Sequence, residues 1–536
     1  MNFDRTPGSP GANSPISQAV IAYRETVCSF ATWSRSLQIA WLVFAGGMAC
    51  TVAAQGAVTI SSKPTVNMSC SGGVCSPTAA DAVLNAGDLE TLLASGDTEV
   101  TTKGPNGEQA TDIVVNAASS WSSSSLLSLV ARRSITVDQP ISVAGMGALS
   151  LTTNAGGRNG VLLFGKQGRA SFANLTSSLS INGTAYTLVG TLAAIGSAVA
   201  ANPAGSYAFA SDYDASQDGT YSNSPVATNV TGTVEGLGNT ISNFSMQPQR
   251  KGGTSDGIFN LVDSSGRIDG MRLTDISIRD ERDRIRGGGG GLVGVNEGTL
   301  SDDHVAGTIV ARHSYVGGLV EANAGTIIHS SANMRVRGAY AAGLVLGSGN
   351  GGSISLSHAD GAVQGDHWAA GLVANLDKGT ISESYATGKV SGGTNSLAGG
   401  LVGWVQGTSA VSDSYATGAV TGGWHAHVGG FVGLIENSIS TIKNAYSTGA
   451  VTGGEGSLVG GFAGDGGLSF TDCYWDRTTS GTNKGVAGMN VAGVTGLTTQ
   501  RFQSGLPAGF ESAICRETAN VLDGLPWLIA NRPGRK

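Results

Sequence analysis

Apolar residues recur along this chain with a period of two, in short runs such as Thr111-Asp-Ile-Val-Val115, Ser134-Ile-Thr-Val137, Ile141-Ser-Val143 and Ala148-Leu-Ser-Leu-Thr-Thr153. That period predicts strands with one buried face, and the Asn, Gly and Ser between the runs predict sharp turns. Helical spacing is confined to two short stretches, Asp88–Leu93 and Ala193–Ala201. Tyr207-Ala-Phe-Ala210 and Asn239-Thr-Ile-Ser-Asn-Phe244 return to strand character.

Beyond this point a unit repeats. Gly-Gly-Leu-Val or a close variant begins at Gly290-Gly291, Gly317-Gly318, Ala342-Gly343, Ala370-Gly371, Gly399-Gly400, Gly429-Gly430 and Gly460-Gly461, and the second glycines lie 27, 25, 28, 29, 30 and 31 residues apart. A second register, Ser331, His358, Tyr385, Tyr415, Tyr446 and Tyr474, advances in step with the first. Units of this length cannot bury an apolar face alone, so they specify a solenoid in which each covers the next. Gly379-Thr-Ile-Ser-Glu-Ser-Tyr-Ala-Thr-Gly-Lys-Val390 shows the form most clearly: strand, polar corner, strand, with glycine where the backbone passes closely or takes a positive φ. The expected fold is all-β, a right-handed parallel β-helix (β-solenoid). With one coil per unit, the marked units stack to about 34 Å at roughly 4.8 Å per coil.

The pattern divides the chain into a leader over residues 1–54, an N-terminal β-helical segment over 55–165, a connecting β-rich region over 166–250, the repeat solenoid over 251–485 and a C-terminal cap over 486–536. In the cap, Leu497, Phe502, Phe510, Leu525, Trp527 and Leu528 supply apolar cover for exposed strand edges.

Composition sharpens this picture. Glycine fills 83 of 536 positions without the Gly-X-Y period of collagen. Hydrophobic residues make up 40%, and 31 basic against 38 acidic side chains leave a net charge of -7, a balance that favours folding over disorder. No basic stripe is present to neutralise a run of phosphates, which argues against nucleic acid as a partner. The densest charge run, Arg279-Asp-Glu-Arg-Asp-Arg-Ile-Arg286, mixes both signs and reads as a solvated excursion.

Near the N-terminus, Arg35 precedes the apolar run Leu37–Ala49, and the small residues Val52, Ala53 and Ala54 offer a cleavage site before Gln55. This predicts a late-starting secretory signal, with an uncleaved membrane anchor as the alternative. Cys28 and Cys50 lie in that leader. Of the four remaining cysteines, Cys70 and Cys75 are placed to close a local disulfide, and Cys473 and Cys515 to tie down the C-terminal end.

Catalytic motifs are lacking: there is no Gly-x-Ser-x-Gly elbow, no His-Glu-x-x-His and no complete phosphate loop. No cofactor and no metal site is expected. The seven histidines fall between residues 304 and 427. His358 shares the tyrosine register and reads as part of a side-chain ladder. His313, His367, His425 and His427 lie three to five residues before repeat glycines and, with Trp424, mark candidate ligand-facing corners. Glu383 and Asp413 align one unit apart, the arrangement from which a β-helical polysaccharide lyase or hydrolase would build an acid pair. Trp404, Trp424 and Trp475 would stack on sugars if exposed.

The pattern Gly-Gly-Leu-Val, Gly-Thr-Ile, Ser-Tyr-Ala-Thr-Gly-x-Val, together with the ending Tyr474-Trp-Asp-Arg-Thr-Thr-Ser-Gly481, resembles the GLUG repeats of bacterial filamentous-haemagglutinin-like adhesins. The resemblance is strongest from about 285 to 481 and extends back to Gly232-Thr-Val-Glu-Gly-Leu-Gly-Asn-Thr-Ile241. Residues 55–165 are, less specifically, similar to the secretion-associated β-helical domain of those adhesins. The resemblance implies a secreted or surface-displayed adhesin that meets a host-cell, bacterial-surface, matrix or glycan receptor and is exported through a partner outer-membrane transporter. Two members of the tyrosine register, Ser331 and His358, depart from the repeat consensus. The expected role is therefore non-catalytic binding, with an enzyme or a passive envelope scaffold as alternatives.

Overall fold

The computed structural model describes residues 56–533, apart from 105–106, 158, 249–254, 281–287, 437–438, 467–469 and 490. The expected leader, with Cys28 and Cys50, and most of the charge run beginning at Arg279 lie outside the described residues.

The described chain is an all-β, mostly parallel solenoid. Its N-terminal part stacks three walls, one of them formed by Thr98–Thr101, Leu126–Val130, Ala148–Thr152 and Ser178–Ile181 in parallel register. After an antiparallel reversal from Ser178–Ile181 to Thr184–Val189, the stack resumes through Ser206–Phe209, Thr233–Glu235 and Arg267–Asp269. It continues through Thr299–Ser301, Thr326–Ile328, Ser353–Ser355, Thr380–Ser382, Ala410–Ala416, Thr441–Ser447 and Phe470–Asp476. A separate eight-stranded sheet from Phe259–Val262 to Ala463–Gly466 forms another wall of the same coils. Alternation sends every second residue inward. Ile268, Leu300, Ile327, Ile354, Ile381, Val411 and Ile442 thus form one buried column, each such side chain contributing on the order of 1.5–3 kcal/mol. The two helical stretches are Ala86–Ser95, capped by Asn85, and Leu192–Ala201, capped by Thr191; the first lays Leu89 and Leu93 against the core, the second Leu192, Ile195 and Val199.

Polar ladders run beside the apolar columns. Where each coil turns, one residue takes left-handed backbone: Asn243, Asp275, Asp302, His329, Leu356, Glu383, Asp413, Asn444 and Asp472 all have φ between 47° and 57°. The next residue turns inward, and in four of these coils it is a serine whose hydroxyl spans two coils. Ser330, Ser357, Ser384 and Ser414 accept from the backbone N–H of the preceding ladder residue at 3.1–3.2 Å and donate to the carbonyl two residues earlier in their own coil. The last member of this column is Cys473, whose thiol faces the carbonyls of Ile442 and Thr471 at 3.4 Å. A parallel column links Asn296 to Asn323 at 2.7 Å and Asn323 to Ser348 at 3.1 Å.

This placement overturns one expected disulfide. Cys70 and Cys75 are bonded, but Cys473 and Cys515 are free and buried. Cys473 points into the solenoid, whereas Cys515 lies among the rings packed on its outer side, so the strand wall separates the two sulfurs.

The last fifty residues also do more than close the end. Val494–Leu497 pairs with Phe470–Asp476, and the chain then turns back along the flank. There it covers the tyrosine register, in which His358 stacks on Tyr385 at 4.6 Å, Tyr385 on Tyr415 at 4.8 Å and Tyr415 on Tyr446 at 5.1 Å, one ring per coil. Phe502, Cys515 and Leu528 pack on these rings. Tyr474 donates to the Ala508 carbonyl at 3.0 Å, Tyr446 donates to that of Pro526, and Asn531 meets His358 Nδ1 at 3.1 Å while donating to the carbonyls of Ser357 and Glu383. The terminal segment is a lateral strap.

At the junction between the two parts of the stack, the Arg272 guanidinium donates to four carbonyls, those of Phe164 and Gly165 at 2.7 and 2.8 Å and those of Lys166 and Gly168 at 3.2 Å. Buried Asn239 adds bonds to the carbonyls of Ala170 and Phe209.

Each later coil also carries a narrow arm. Val390–Gly392 runs out, a tip turn follows and Leu397–Gly399 runs back, with Val390, Ala398, Val420 and Val428 packed between such strands. Strand pairing holds on both sides of the tip, but the tip changes size: Gly365 and Trp368 are three positions apart, whereas their partners Gly392 and Leu397 are five apart.

Candidate functional site

The outward positions on the returning strand of each arm form a row, Ser255, Gly288, Tyr315, Tyr340, Trp368, Leu397, His427 and Leu458, each paired with the next. After the glycine corner, the facing wall presents Val295, Ala322, Gly347, Asn375, Trp404, Leu434 and Asp465. The corner between the rows is tight because its first residue is small. A Cβ on Gly317, Gly399, Gly429 or Gly460 would fall 1.8–1.9 Å from the carbonyl oxygen three residues on. The strands therefore fold toward each other and leave a groove along the solenoid axis.

In the middle of the groove the corner glycine is replaced by Ala342 and Ala370, which with Leu346 and Ala374 form a buried apolar floor under Tyr315, Tyr340 and Trp368. Tyr315 and Tyr340 stack at 4.5 Å with an interplanar angle of 8°. Trp368 meets Tyr340 edge-on at 4.7 Å, and Trp404 meets Trp368 edge-on at 5.3 Å. These four rings are half-buried. Aromatic pairs of this geometry contribute about 0.5–1.5 kcal/mol beyond their area, so the row is held in shape before any ligand arrives.

Polar groups mark the ends. Gly288 has no side chain, and the position its Cβ would take, 2.0 Å from Glu321 Oε1, is occupied by the Glu321 carboxyl. Burial, reinforced by the neighbouring Asp256 carboxylate and opposed by a hydrogen bond from Ser255, pushes the Glu321 pKa up to about 7. Glu321 Oε2 and Trp404 Nε1 are shielded from solvent and have no hydrogen-bond partner among the described residues. At the far end His427 Nδ1 lies 3.5 Å from Asp465 Oδ2.

The candidate ligand corners divide. His427 belongs to the groove row, and His367 lies at its rim, 5.1 Å from the Tyr340 ring. His313 is exposed two residues before Tyr315. Trp424, 62% exposed, and His425 sit on an arm tip instead. His425 takes the left-handed backbone that turns the tip, with φ 52°, and its ring fills the space beside Gly456. Tyr315, Tyr340, Trp368 and Glu321 were not among the expected residues, although the first three share one offset, three positions before Gly318, Gly343 and Gly371.

Expected chemistry elsewhere resolves into structure. Glu383 and Asp413 occupy the left-handed corner column, where Asp413 accepts from Asn444 at 2.9 Å. A cross-coil carboxylate pair exists instead at Glu235 and Asp269, but burial holds the Glu235 carboxyl protonated well above the usual range, and Asp269 pairs with Arg267. Among the described residues, no group of three or more His, Cys, Asp or Glu is placed to hold a metal ion.

Glu321 gives the groove a measurable signature. Its folded pKa lies above its unfolded value, so the protonated fold is favoured, and the stability it contributes in acid is lost as pH rises from about 4.5 through 7. Thermal melts should show Glu321→Gln losing on the order of 2 kcal/mol of the wild-type difference between pH 5 and pH 7.5. An unchanged pH dependence in the variant would place the carboxyl in water.

Residues 394–421 and 425–452, two successive coils that include the groove positions Leu397, Trp404 and His427, match the GLUG motif. No curated protein matches the chain. Among solved structures, a Bacteroides ovatus protein described as a candidate immunoglobulin A1 protease is similar with 17% identity and a TM-score of 0.33, over 60% of this chain and 85% of its own. A likeness of that degree carries no argument about activity. The chain is a parallel β-solenoid that bears the GLUG motif.

Proposed function

We propose that the chain is a secreted or surface-associated adhesin, non-catalytic, whose axial groove is the contact surface for a cell, matrix or glycan receptor. One observation carries the reading: four half-open rings are aligned along successive coils over a common apolar floor. Binding energy concentrates on such aromatic anchors. The carboxylate pairs Glu383 with Asp413 and Glu235 with Asp269 lie outside the groove, in the corner column and in the wall. Export through a partner outer-membrane transporter belongs to the same proposal and follows from the leader and the repeat pattern.

Purified residues 55–536 should adhere to at least one of a panel of epithelial cells, bacterial cells and extracellular-matrix proteins. The double variant Tyr340→Ala, Trp368→Ala should reduce the bound amount at least about tenfold, the equivalent of one aromatic anchor. Failure to bind any member of the panel sinks the proposal.

A further inference from the structure

We infer that two copies of this chain pair edge to edge through the last arm, in which Val451–Gly453 runs out and Leu458–Gly460 runs back, about a two-fold axis that sets the strands antiparallel. The contact needs no receptor in the groove.

The first observation is an uncovered edge. The body of the solenoid is closed at both ends: the hairpin of Met68–Ser71 and Val74–Pro77 lies outside Thr98–Thr101, Val494–Leu497 lies on Phe470–Asp476, and Val486 bridges to Ala463. The last arm has no such cover. Its strands pair with Val420–Gly422 and His427–Gly429 of the coil before, and among the described residues no strand pairs with them on the other side. The chain that follows crosses only the arm's base, where the Ser480 carbonyl accepts from the Val451 N–H at 3.0 Å and the Lys484 carbonyl from the Gly461 N–H at 2.8 Å. Thr452, Gly453 and Leu458 are therefore exposed, whereas Thr421, Gly422 and His427, the same positions one coil earlier, are half-buried.

The second is the chemistry of that edge. The Leu458 N–H donates back to the Ala426 carbonyl and the Gly454 N–H to that of Gly422. By alternation Val459 and Gly453 aim their N–H and C=O groups away from the stack, and no described residue beyond the arm bonds them. From Val451 to Gly460 the edge holds one charge, Glu455, and none of the Lys or Pro residues that keep open edges apart. The apolar interior of the arm is also left ajar here, because Val459 is only partly buried against it. Such an edge takes up a further strand.

The third fixes the occupant. Gly453 and Val459 sit at mid-arm, so a two-fold axis normal to the arm's two layers sets each opposite its own copy, and the apolar interior continues from one molecule into the other. The same axis lays the tip of each arm against the base of its partner. Glu455 of one copy then meets the crossing segment that carries Lys484 of the other, and this happens twice; both side chains are exposed. A head-to-tail stack would instead have to seat a second body on an end that Val494–Leu497 and Val486 already close. Two three-residue strands present far less than the roughly 800 Å² per partner of stable complexes, so the pair forms only at high protein concentration.

Sedimentation velocity of residues 55–536 tests this. The weight-average mass should rise from that of a monomer towards twice that value between about 1 and 500 µM, and no further. Thr452→Lys combined with Leu458→Lys, which sets like charges on the edge at two exposed positions, should abolish the rise with the circular dichroism spectrum unchanged. Glu455→Lys alone and Lys484→Glu alone should each weaken pairing at least about fivefold, and an equimolar mixture of the two should pair as the wild type does, because the exchanged charges then face each other across the axis. A monomer at every concentration, growth past the dimer, association indifferent to the two lysines, or charge variants that pair equally well alone and mixed would overturn the inference.

Discussion

Gly400→Ala should destabilise the solenoid by at least about 3 kcal/mol, at the upper end of what overpacking costs. A Cβ at Gly400 would sit 2.0 Å from the Gly430 carbonyl oxygen, and the same contact recurs at Gly318, Gly343 and Gly371, each 1.9–2.0 Å from the carbonyl of the glycine one coil later. The obstructing atom is backbone, and the Gly400 N–H is itself bonded to the Gly429 carbonyl at 3.1 Å, so relief requires two coils to part. Gly347→Ala is the control: nothing lies within 4 Å of its Cβ, and its effect should stay within about 0.5 kcal/mol. Because stacked repeats need not unfold in one step, urea melts should be paired with limited proteolysis, which should cut the Gly400 variant near the affected coil. Equal losses in the two variants would contradict the corner geometry.

Removing the strap should have the second large effect. In a chain ending at Thr498, the edges of Tyr385, Tyr415 and Tyr446 lose their cover, a loss on the order of 5 kcal/mol for the set. Burial holds all three phenols above the ordinary tyrosine range. An acid whose folded pKa exceeds its unfolded value stabilises the fold while it stays protonated, so stability falls as pH rises beyond about 10. In the full chain these tyrosines should ionise only with alkaline unfolding, seen as a late, cooperative rise in phenolate absorbance. In the shortened chain they should titrate near pH 10 without unfolding, and an apolar dye should bind the exposed rings. Identical phenolate curves would mean that the strap does not cover the ladder.

The repeat was legible because solenoid stacking imposes register directly on sequence. The column Ser331, His358, Tyr385, Tyr415, Tyr446 and Tyr474 could be counted out before any coordinates, and each member pairs with the next. The alternating N-terminal runs became strands for the same reason. The strap's path was not legible, since residues 499–533 contain no repeat and reach Asn531 back to His358 across 173 positions. Nor was the state of Cys473. Even spacing and export suggest pairing, but its place at the end of a serine column turns it away from Cys515.

The groove was half legible. Histidines before the repeat glycines drew notice, yet the outward position is fixed at three residues before the glycine, and only His427 among the expected histidines satisfies that offset. Glu321 had no sequence signal at all. Its carboxyl reaches the row because Gly288, in the preceding coil, leaves the place vacant.

The arm tips divide the coil into a part that varies in length and a part that does not. From Gly422 to His427, as from Gly392 to Leu397, the tip spans five positions, while the coil before it manages with three, and the flanking strands keep their partners throughout. Insertions and deletions at a tip therefore remodel the rim beside the groove without disturbing the hydrogen-bonded stack. Within this one chain the rim differs from coil to coil while the hydrogen-bonded scaffold repeats.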